Sequence, residues 1–362
     1  MNIAFVYDRI NKWGGAERVL LALHKVWPEA SIYTAVYDRK RAAWAQVFDV
    51  RTTFLDRVPW ARKHHEWYPW LTPLAFETLS FDEYDVVISI TSAEAKNLIT
   101  KSGTLHICYC LTPTRYLWSG YQEYADSSKV LPFVAPILRK WDRIASARPD
   151  YYIAISARVS QRIQEYYKRD VVRIITPPVN TDQFQIGHDD SQMGERPFLV
   201  VSRLVPYKRI DVIIAAFNQL GYPLIVIGTG SERERLRNLA RKNITFIHTH
   251  LTDEQLVGYY QRCRAFVFAA DEDFGLAAIE AQACGRPVIA FGNSGIAETV
   301  IHRKTGILFY KQTPNELIRA VRQFTSEFYD SRTIRRHALS FGVEPFAKQM
   351  KETVLDLYKK YI

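Results

Sequence analysis

The sequence predicts an α/β protein built from two doubly wound domains. Two observations carry that reading. Apolar, strand-like runs alternate with helix-like stretches along the chain, and the alternation breaks once, at a polar segment near the middle. Such alternation builds parallel βαβ units. With 362 residues, the chain is long enough to give each of two domains its own core.

The elements follow in order. NIAFVY reads as a first buried strand, because Asp8 and Arg9 follow it too soon for a signal-peptide core. AERVLLALHKVW is the helix after it, and YDVVISI with SAEAKNLIT, LHICYC, and DYYIAIS with ARVSQRIQEYY extend the series. A second series starts at PFLVVSRL and runs through PLIVIGTG, ITFIHT, AFVFAA and RPVIAF, with helical stretches between. Its strands are short and nearly all apolar, as expected when helices cover both sheet faces. The linker between the series lies at roughly residues 176–196, rich in Pro, Asp and Gln with little periodicity. The last element, FGVEPFAKQMKETVLDLYKKY, is an amphipathic helix. The expected organisation is a Rossmann-like domain over residues 1–185, a second over 186–342 and a terminal helix over 343–362.

Composition narrows the function classes. No apolar run reaches the ~18 residues of a membrane-spanning helix, so the expected compartment is the cytoplasm. Cys108, Cys110, Cys263 and Cys284 form no C-x-x-C pair and read as core thiols rather than a disulfide or zinc site. The net charge of +10 is spread evenly: residues 1–185 hold 24 Lys+Arg against 19 Asp+Glu, and residues 186–362 repeat that balance. A basic chain suits phosphates or an acidic membrane surface. No zinc-finger, RNP-type or helix-turn-helix pattern accompanies the charge, so nucleic acid is not the expected partner.

The most specific local feature is ADEDFGLAAIEAQACGRPVIA, where seven residues separate Glu272 from Glu280. A strand precedes Glu272, which therefore falls on a strand-end loop, where open α/β sheets gather ligands. Glu280 is expected about two turns into the helix that begins near Gly275. Carboxylates suit vicinal sugar hydroxyls, since each oxygen accepts from an O–H. Backbone N–H groups around Phe274, Gly275 and Leu276 suit an anion or a sugar hydroxyl. Alone, the same residues read equally as a solvated acidic loop and an ordinary helix.

This stretch resembles the E-x7-E signature of retaining glycosyltransferases of family 4, which have the GT-B fold. SRLVPYKRID, IGTGSERERL, ITPPVNTDQF, EAQACGRPVIAFGNSGIAETV, WDRIASARPDYYIAIS and HICYCLTPTRYLW are similar to that family too, in the family's order and over nearly the whole chain. They resemble in particular its bacterial mannosyltransferase-like branch, which builds surface polysaccharides. The resemblance implies two Rossmann-like domains facing across a cleft, with the terminal helix crossing back to the first. It implies that the first domain holds the acceptor and the second the nucleotide sugar. It gives Glu272 the donor sugar, Glu280 the ribose, and Arg203 and Lys208 the diphosphate. Charge agrees with the last assignment, because a departing nucleoside diphosphate gains negative charge that two cations stabilise.

The remaining motifs divide between function and structure. In NKWGGAER, Gly14 and Gly15 follow the first strand and would let backbone approach a phosphate or sugar at a helix start. They do not form G-x-G-x-x-G, so a nicotinamide cofactor finds no support. Gly228 and Gly230 read as a strand-to-helix turn. Asp271-Glu272-Asp273 imitates a D-x-D metal motif and Asp273-Phe274-Gly275 a kinase triplet, but neither has its partners; no metal and no cofactor are expected beyond the donor itself. Where related sequences carry histidine in Y-C-H-T-P-x-R-Y, this chain has Leu111, followed by Thr112, Arg115 and Tyr116. Leucine neither donates nor accepts a hydrogen bond, and Arg115 reads either as a contact to an acceptor phosphate or as a brace for its loop. His106, nearby, reads as a strand residue. Residues 57–70 interleave Arg57, Arg62 and Lys63 with Trp60, Trp67, Tyr68 and Trp70, which suits a membrane interface or, equally, a helix packed into the first domain.

The expected function is retaining transfer of a hexose, mannose by family likeness, from a nucleotide diphosphate sugar such as GDP-mannose to a saccharide hydroxyl. The acceptor is expected to be carried on a polyprenyl diphosphate at the inner face of the cell membrane. Two rivals stand beside it: a catalytically impaired sugar-nucleotide-binding subunit, suggested by Leu111, and a GT-B nucleotide-sugar epimerase.

Overall fold

Thirteen short, Val- and Ile-rich runs pair as parallel strands in the computed structural model, which describes residues 1–62, 68, 70–128, 130–187, 196–248 and 251–362. The first sheet contains β1 (Ile3–Tyr7), β2 (Ser31–Thr34), β3 (Val50–Thr52), β4 (Val86–Thr91), β5 (Leu105–Cys110), β6 (Tyr151–Ala154) and β7 (Val171–Ile174). Their order is β3-β2-β1-β4-β5-β6-β7. The second contains β8 (Phe198–Val201), β9 (Leu224–Ile227), β10 (Ile244–Ile247), β11 (Phe266–Phe268), β12 (Val288–Phe291) and β13 (Gly306–Phe309), in the order β10-β9-β8-β11-β12-β13. In both, winding proceeds outward from the first strand in one direction and then reverses. The expected pair of doubly wound, Rossmann-like folds is met.

The chain forms two units, one of Met1–Pro178 with Phe346–Ile362 and one of Val179–Pro345. Helices cover both sheets, which is why β1, β4 and β5 are buried from end to end. In the first unit these are α1 (Gly15–Val26), α2 (Leu71–Glu77), α3 (Tyr121–Ser127), α4 (Leu131–Ser146) and α5 (Ala157–Tyr167). In the second they are α6 (Ile210–Leu220), α7 (Arg233–Leu239), α8 (Asp253–Arg262), α9 (Leu276–Ala283), α10 (Pro314–Thr325) and α11 (Ser331–Leu339), and α12 (Val343–Tyr361) ends the chain. Local chemistry sets several helix starts. Ser156 accepts from the Val159 amide at 3.1 Å, and Thr252 and Gln255 form a reciprocal capping box at α8. From Phe346 onward α12 belongs to the first unit, where Arg173 of β7 donates to Thr353 at 3.0 Å and the Phe346 ring meets Tyr109.

Among the described residues, no helix is long and apolar enough to cross a membrane. All four cysteines are buried and unbridged, and burial pushes the Cys263 and Cys284 thiols up to about 12.

Candidate functional site

A doubly wound sheet leaves a crevice beyond the carboxyl ends of the two strands where its winding reverses. In the second unit those strands are β8 and β11, paired at Leu199 and Phe266. The segments that leave them carry most of the predicted site.

After β8 a short 3₁₀ turn, Pro206–Lys208, ends on Lys208, and Arg209 then takes a left-handed conformation (φ 51°) that starts α6. The turn buries Lys208 and aims its ammonium at the Glu272 carboxylate, with which it forms an ion pair. Tyr207 sits beside it: the Lys208 Nζ lies 5.1 Å from the Tyr207 ring and 5.4 Å from the Phe268 ring. The exposed Arg203 guanidinium donates to the Tyr207 hydroxyl. Arg203, Lys208 and Glu272 are thus joined, with Tyr207 as the link.

Glycine shapes the loop after β11. Gly275 caps the start of α9 at φ 91°, and a Cβ there would lie 2.6 Å from the Ile296 side chain. Gly295 donates its amide to the Glu272 carbonyl at 2.7 Å, and a Cβ on it would fall 2.1 Å from the Asp273 carbonyl oxygen. The loop after β12 therefore lies flat against Glu272–Gly275, and the side chain of Glu272 is turned toward Lys208. Phe274 is buried against Phe341, while Leu276 opens α9, whose first amides have no acceptor within the helix.

Glu280 differs from its expected position. It is the fifth residue of α9, so it stands just over one turn into the helix rather than two. It is buried, and its carboxylate accepts from the Tyr260 hydroxyl of α8 at 2.8 Å.

Gly228 and Gly230 serve the backbone, as expected. Their φ values are 150° and 158°, and a Cβ on either would fall 1.9 Å from the Ser202 carbonyl oxygen or 2.1 Å from that of Leu204. They let the β9 loop close on the segment that carries Arg203.

In the first unit winding reverses between β1 and β4. Gly14 is the N-cap of α1 in extended backbone that any residue adopts, and Gly15 is the first helical residue. The space around Gly14 is limited by Glu17, whose carboxylate would lie 3.1 Å from an added Cβ and which accepts from Tyr7 at 2.7 Å. Beyond β5, the amide of half-buried Leu111 bonds Thr91, and the buried Thr112 hydroxyl has no protein partner. The Arg115 carbonyl accepts from the Gly120 amide at 2.9 Å, and its side chain lies beside Gly120, where an added Cβ would fall 3.0 Å from its Cγ. Tyr116 donates to Glu94 at 2.7 Å, and burial raises the Glu94 carboxyl against the opposing pull of Arg9.

Two groupings were not anticipated. Asp8 directly follows β1 and accepts from Thr91, from the Ser92 amide and hydroxyl and from the Ala95 amide, at 2.7 to 3.3 Å. Lys96 and Asp142 form a buried pair at 2.5 Å, with Thr114 and Trp118 also donating to the carboxylate. Burial opposes the Lys96 charge, but Asp142 outweighs it and keeps the ammonium protonated. The only local sign of the first was an aspartate abutting an apolar strand; the second joins residues 46 positions apart.

His106 lies within β5 with its ring against Ser89 at 2.8 Å, a strand residue as expected. Lys63 and Trp67 of the aromatic segment lie outside the described residues. Trp60 and Trp70 are exposed, so neither packs into the first unit's core; Arg57 is exposed, Arg62 pairs with Asp56 and Tyr68 donates to the Pro59 carbonyl. Among the described residues, no group of three or more His, Cys, Asp or Glu is placed to hold a metal ion.

Residues 182–338 match the family described as Glycosyl transferases group 1. The match falls within the second unit and includes Arg203, Lys208, Glu272 and Glu280. The GDP-mannose-dependent alpha-(1-6)-phosphatidylinositol monomannoside mannosyltransferase of Mycobacterium tuberculosis is 33% identical over 159 residues, covering 37% of this chain and 41% of that protein. The chain spans about half the length, or less, of the curated relatives it matches. Among solved structures, sucrose-phosphate synthase from Thermosynechococcus elongatus superposes with a TM-score of 0.77 at 20% identity, over 99% of this chain and 100% of that one. Anabaena HepE, crystallised with UDP-glucose, gives 0.72 at 17% identity, over 98% and 100%. These likenesses establish a glycosyltransferase fold of the two-domain GT-B kind over the whole chain.

Proposed function

We propose that this chain is a retaining glycosyltransferase of family 4 that moves a hexose from a nucleotide diphosphate sugar to a hydroxyl of a saccharide acceptor. The observation that carries the reading is the Lys208–Glu272 pair beside Arg203 at the carboxyl ends of β8 and β11. In this proposal the donor diphosphate takes the Lys208 ammonium and the Arg203 guanidinium, and Glu272, released from Lys208, accepts from the sugar hydroxyls. As the bond from sugar to phosphate breaks, charge grows on the diphosphate, and fixed cations stabilise that state more than the ground state. The amides opening α9 at Phe274, Gly275 and Leu276 add partial positive charge. Glu280 takes the ribose, exchanging its bond from Tyr260 for one from a ribose hydroxyl. Within the first unit, Gly14 and Gly15 are proposed to take a phosphate or sugar, and the loop of Thr112, Arg115 and Tyr116 the acceptor.

Mannose from GDP-mannose is the proposed donor group, supported by the likeness to a GDP-mannose-dependent relative. The proposed acceptor is a lipid-linked saccharide at the cytoplasmic face of a membrane, and the reaction is proposed to need no metal. Thermal melting with GDP-, UDP- and ADP-sugars tests the donor, since a ligand at about 100 times its Kd stabilises by roughly 2.7 kcal/mol. GDP-mannose is expected to give the largest rise. No rise with any sugar nucleotide would sink the reading.

A second reading, an impaired sugar-nucleotide-binding subunit, is favoured by Leu111. Leu111→His separates the two: a large gain in transfer supports impairment, whereas unchanged transfer shows chemistry that never used a side chain there. Donor turnover without any acceptor would instead mark an epimerase.

A further inference from the structure

We infer that the outer face of α4 is a membrane-docking surface for anionic lipid. The helix is apolar on two sides, as a helix buried all round would be. Its inner side is accounted for: Ala135 and Leu138 are buried against Leu117, with Tyr116, Trp118 and Tyr121 packed around them. Its outer side is not. Val130 is 59% exposed, Phe133 82%, Ile137 60%, Trp141 36% and Ile144 53%. At 100° per residue these five fall within an arc roughly 80° wide. They form one continuous stripe over the length of the helix.

A single exposed leucine needs no explanation, but five large apolar side chains in a row do. Charge identifies the occupant. Lys140 is exposed on one border of the stripe, about 20° from Phe133, while the exposed Arg143 lies farther round with its guanidinium over the Trp118 ring at 5.0 Å. The helix's single acid, Asp142, is buried in its pair with Lys96, so the exposed charge on the helix is wholly positive. Of the nearest acids in sequence, Asp126 stands on the preceding helix and Asp150, just after α4, accepts from the His106 amide at 2.8 Å. An apolar stripe with a cation on its border and a tryptophan among its members is the arrangement that lies in a headgroup layer. Rings and aliphatic chains enter the acyl boundary, while the Lys140 stem extends to the phosphates. The surface stands on the exposure of α4 and does not depend on which sugar or acceptor the chain uses. It also differs from the aromatic segment at residues 57–70 that sequence alone suggested.

Flotation of the full-length protein with lipid vesicles tests the inference. The wild type is expected to float with vesicles of two parts phosphatidylcholine to one part phosphatidylglycerol, less with phosphatidylcholine alone, and less as salt rises. Phe133→Ser with Ile137→Ser is expected to weaken binding at least about tenfold, with circular dichroism and melting unchanged because both side chains are exposed. Lys140→Glu is expected to reduce the preference for the anionic vesicles while sparing the fold. A wild type that stays out of the lipid layer with both vesicles overturns the inference, as does a double variant that floats like the wild type. A dimer that the double variant dissociates, without any change in flotation, would assign the stripe to a second copy of the chain.

Discussion

The two units share a winding pattern and use its reversal differently. In the first, the crevice end of β1 is tied down: Asp8 takes four hydrogen bonds from Thr91, which ends β4, and from Ser92 and Ala95 just after it. Close by, Lys96 and Asp142 lock the turn after β4 to α4. In the second, the corresponding place holds Lys208 and Glu272, a cation and a carboxylate that satisfy each other, with Arg203 exposed beside them. Equivalent topology thus supplies a stitched end in one unit and a charged pair with an exposed arginine beside it in the other. Position in a fold says where a ligand could bind; the side chains decide whether the position is consumed by structure.

The sharpest way to break that contrast is to cut the stitched end. Asp142→Ala leaves the Lys96 ammonium buried without its carboxylate, which costs about 3–5 kcal/mol. The fall is expected in a urea unfolding midpoint, with nucleoside diphosphate affinity unchanged in the folded protein. Loss of affinity at full stability would show that the first unit's charges are not merely structural.

The complementary variant, Lys208→Ala, is expected to behave the other way round. With Lys208 on the proposed diphosphate, loss of its charge is expected to lower kcat/KM about 10²–10³-fold, while the melting temperature changes little because Glu272 keeps some access to water. A large drop in stability with kcat/KM intact would make this pair another stitch.

The smallest expected effect near neutral pH concerns a buried histidine. His106 is buried in β5, and desolvation, aided by Arg148 and Arg169, lowers its pKa to about 3 from an ordinary 6.5. The unfolded chain then binds the proton that the folded chain refuses, so stability rises with pH. This histidine contributes stability above about pH 6.5 that is lost as pH falls toward 3. His106→Gln is expected to flatten that part of the stability profile; an unchanged slope would place the acid sensitivity elsewhere.

What could be read from the residues alone follows from how local each signal is. The strands were legible because helices on both faces make them continuous apolar runs, as in VVISIT and VIAF. Glu272 and Gly275 were legible because a carboxylate and a glycine in the loop after a strand mark a crevice, whereas Lys208 was reached through the resemblance of SRLVPYKRID to a known family. The placement of Glu280 missed by nearly a turn although the helix start near Gly275 was read correctly, because its spacing from Glu272 was counted as helical turns while the first residues after Glu272 lie in the loop. Asp8 and Asp142 escaped because their hydrogen-bond partners come from distant segments, which no window of sequence brings together. Tyr207 stood inside a recognised segment and went unremarked, since only the fold shows its ring against Lys208 and its hydroxyl on Arg203. The stripe on α4 escaped for the opposite reason, as an apolar helix face reads as core until the structure shows it uncovered.

The central claim is that the cations after β8 hold a diphosphate. Titration calorimetry tests it directly, using the nucleoside diphosphate that most stabilises the wild type, its parent nucleoside, and the Lys208→Ala variant. The account predicts that the diphosphate binds the wild type far more tightly than the nucleoside, and that most of this advantage disappears in the variant. Equal diphosphate affinity in the two proteins would contradict it.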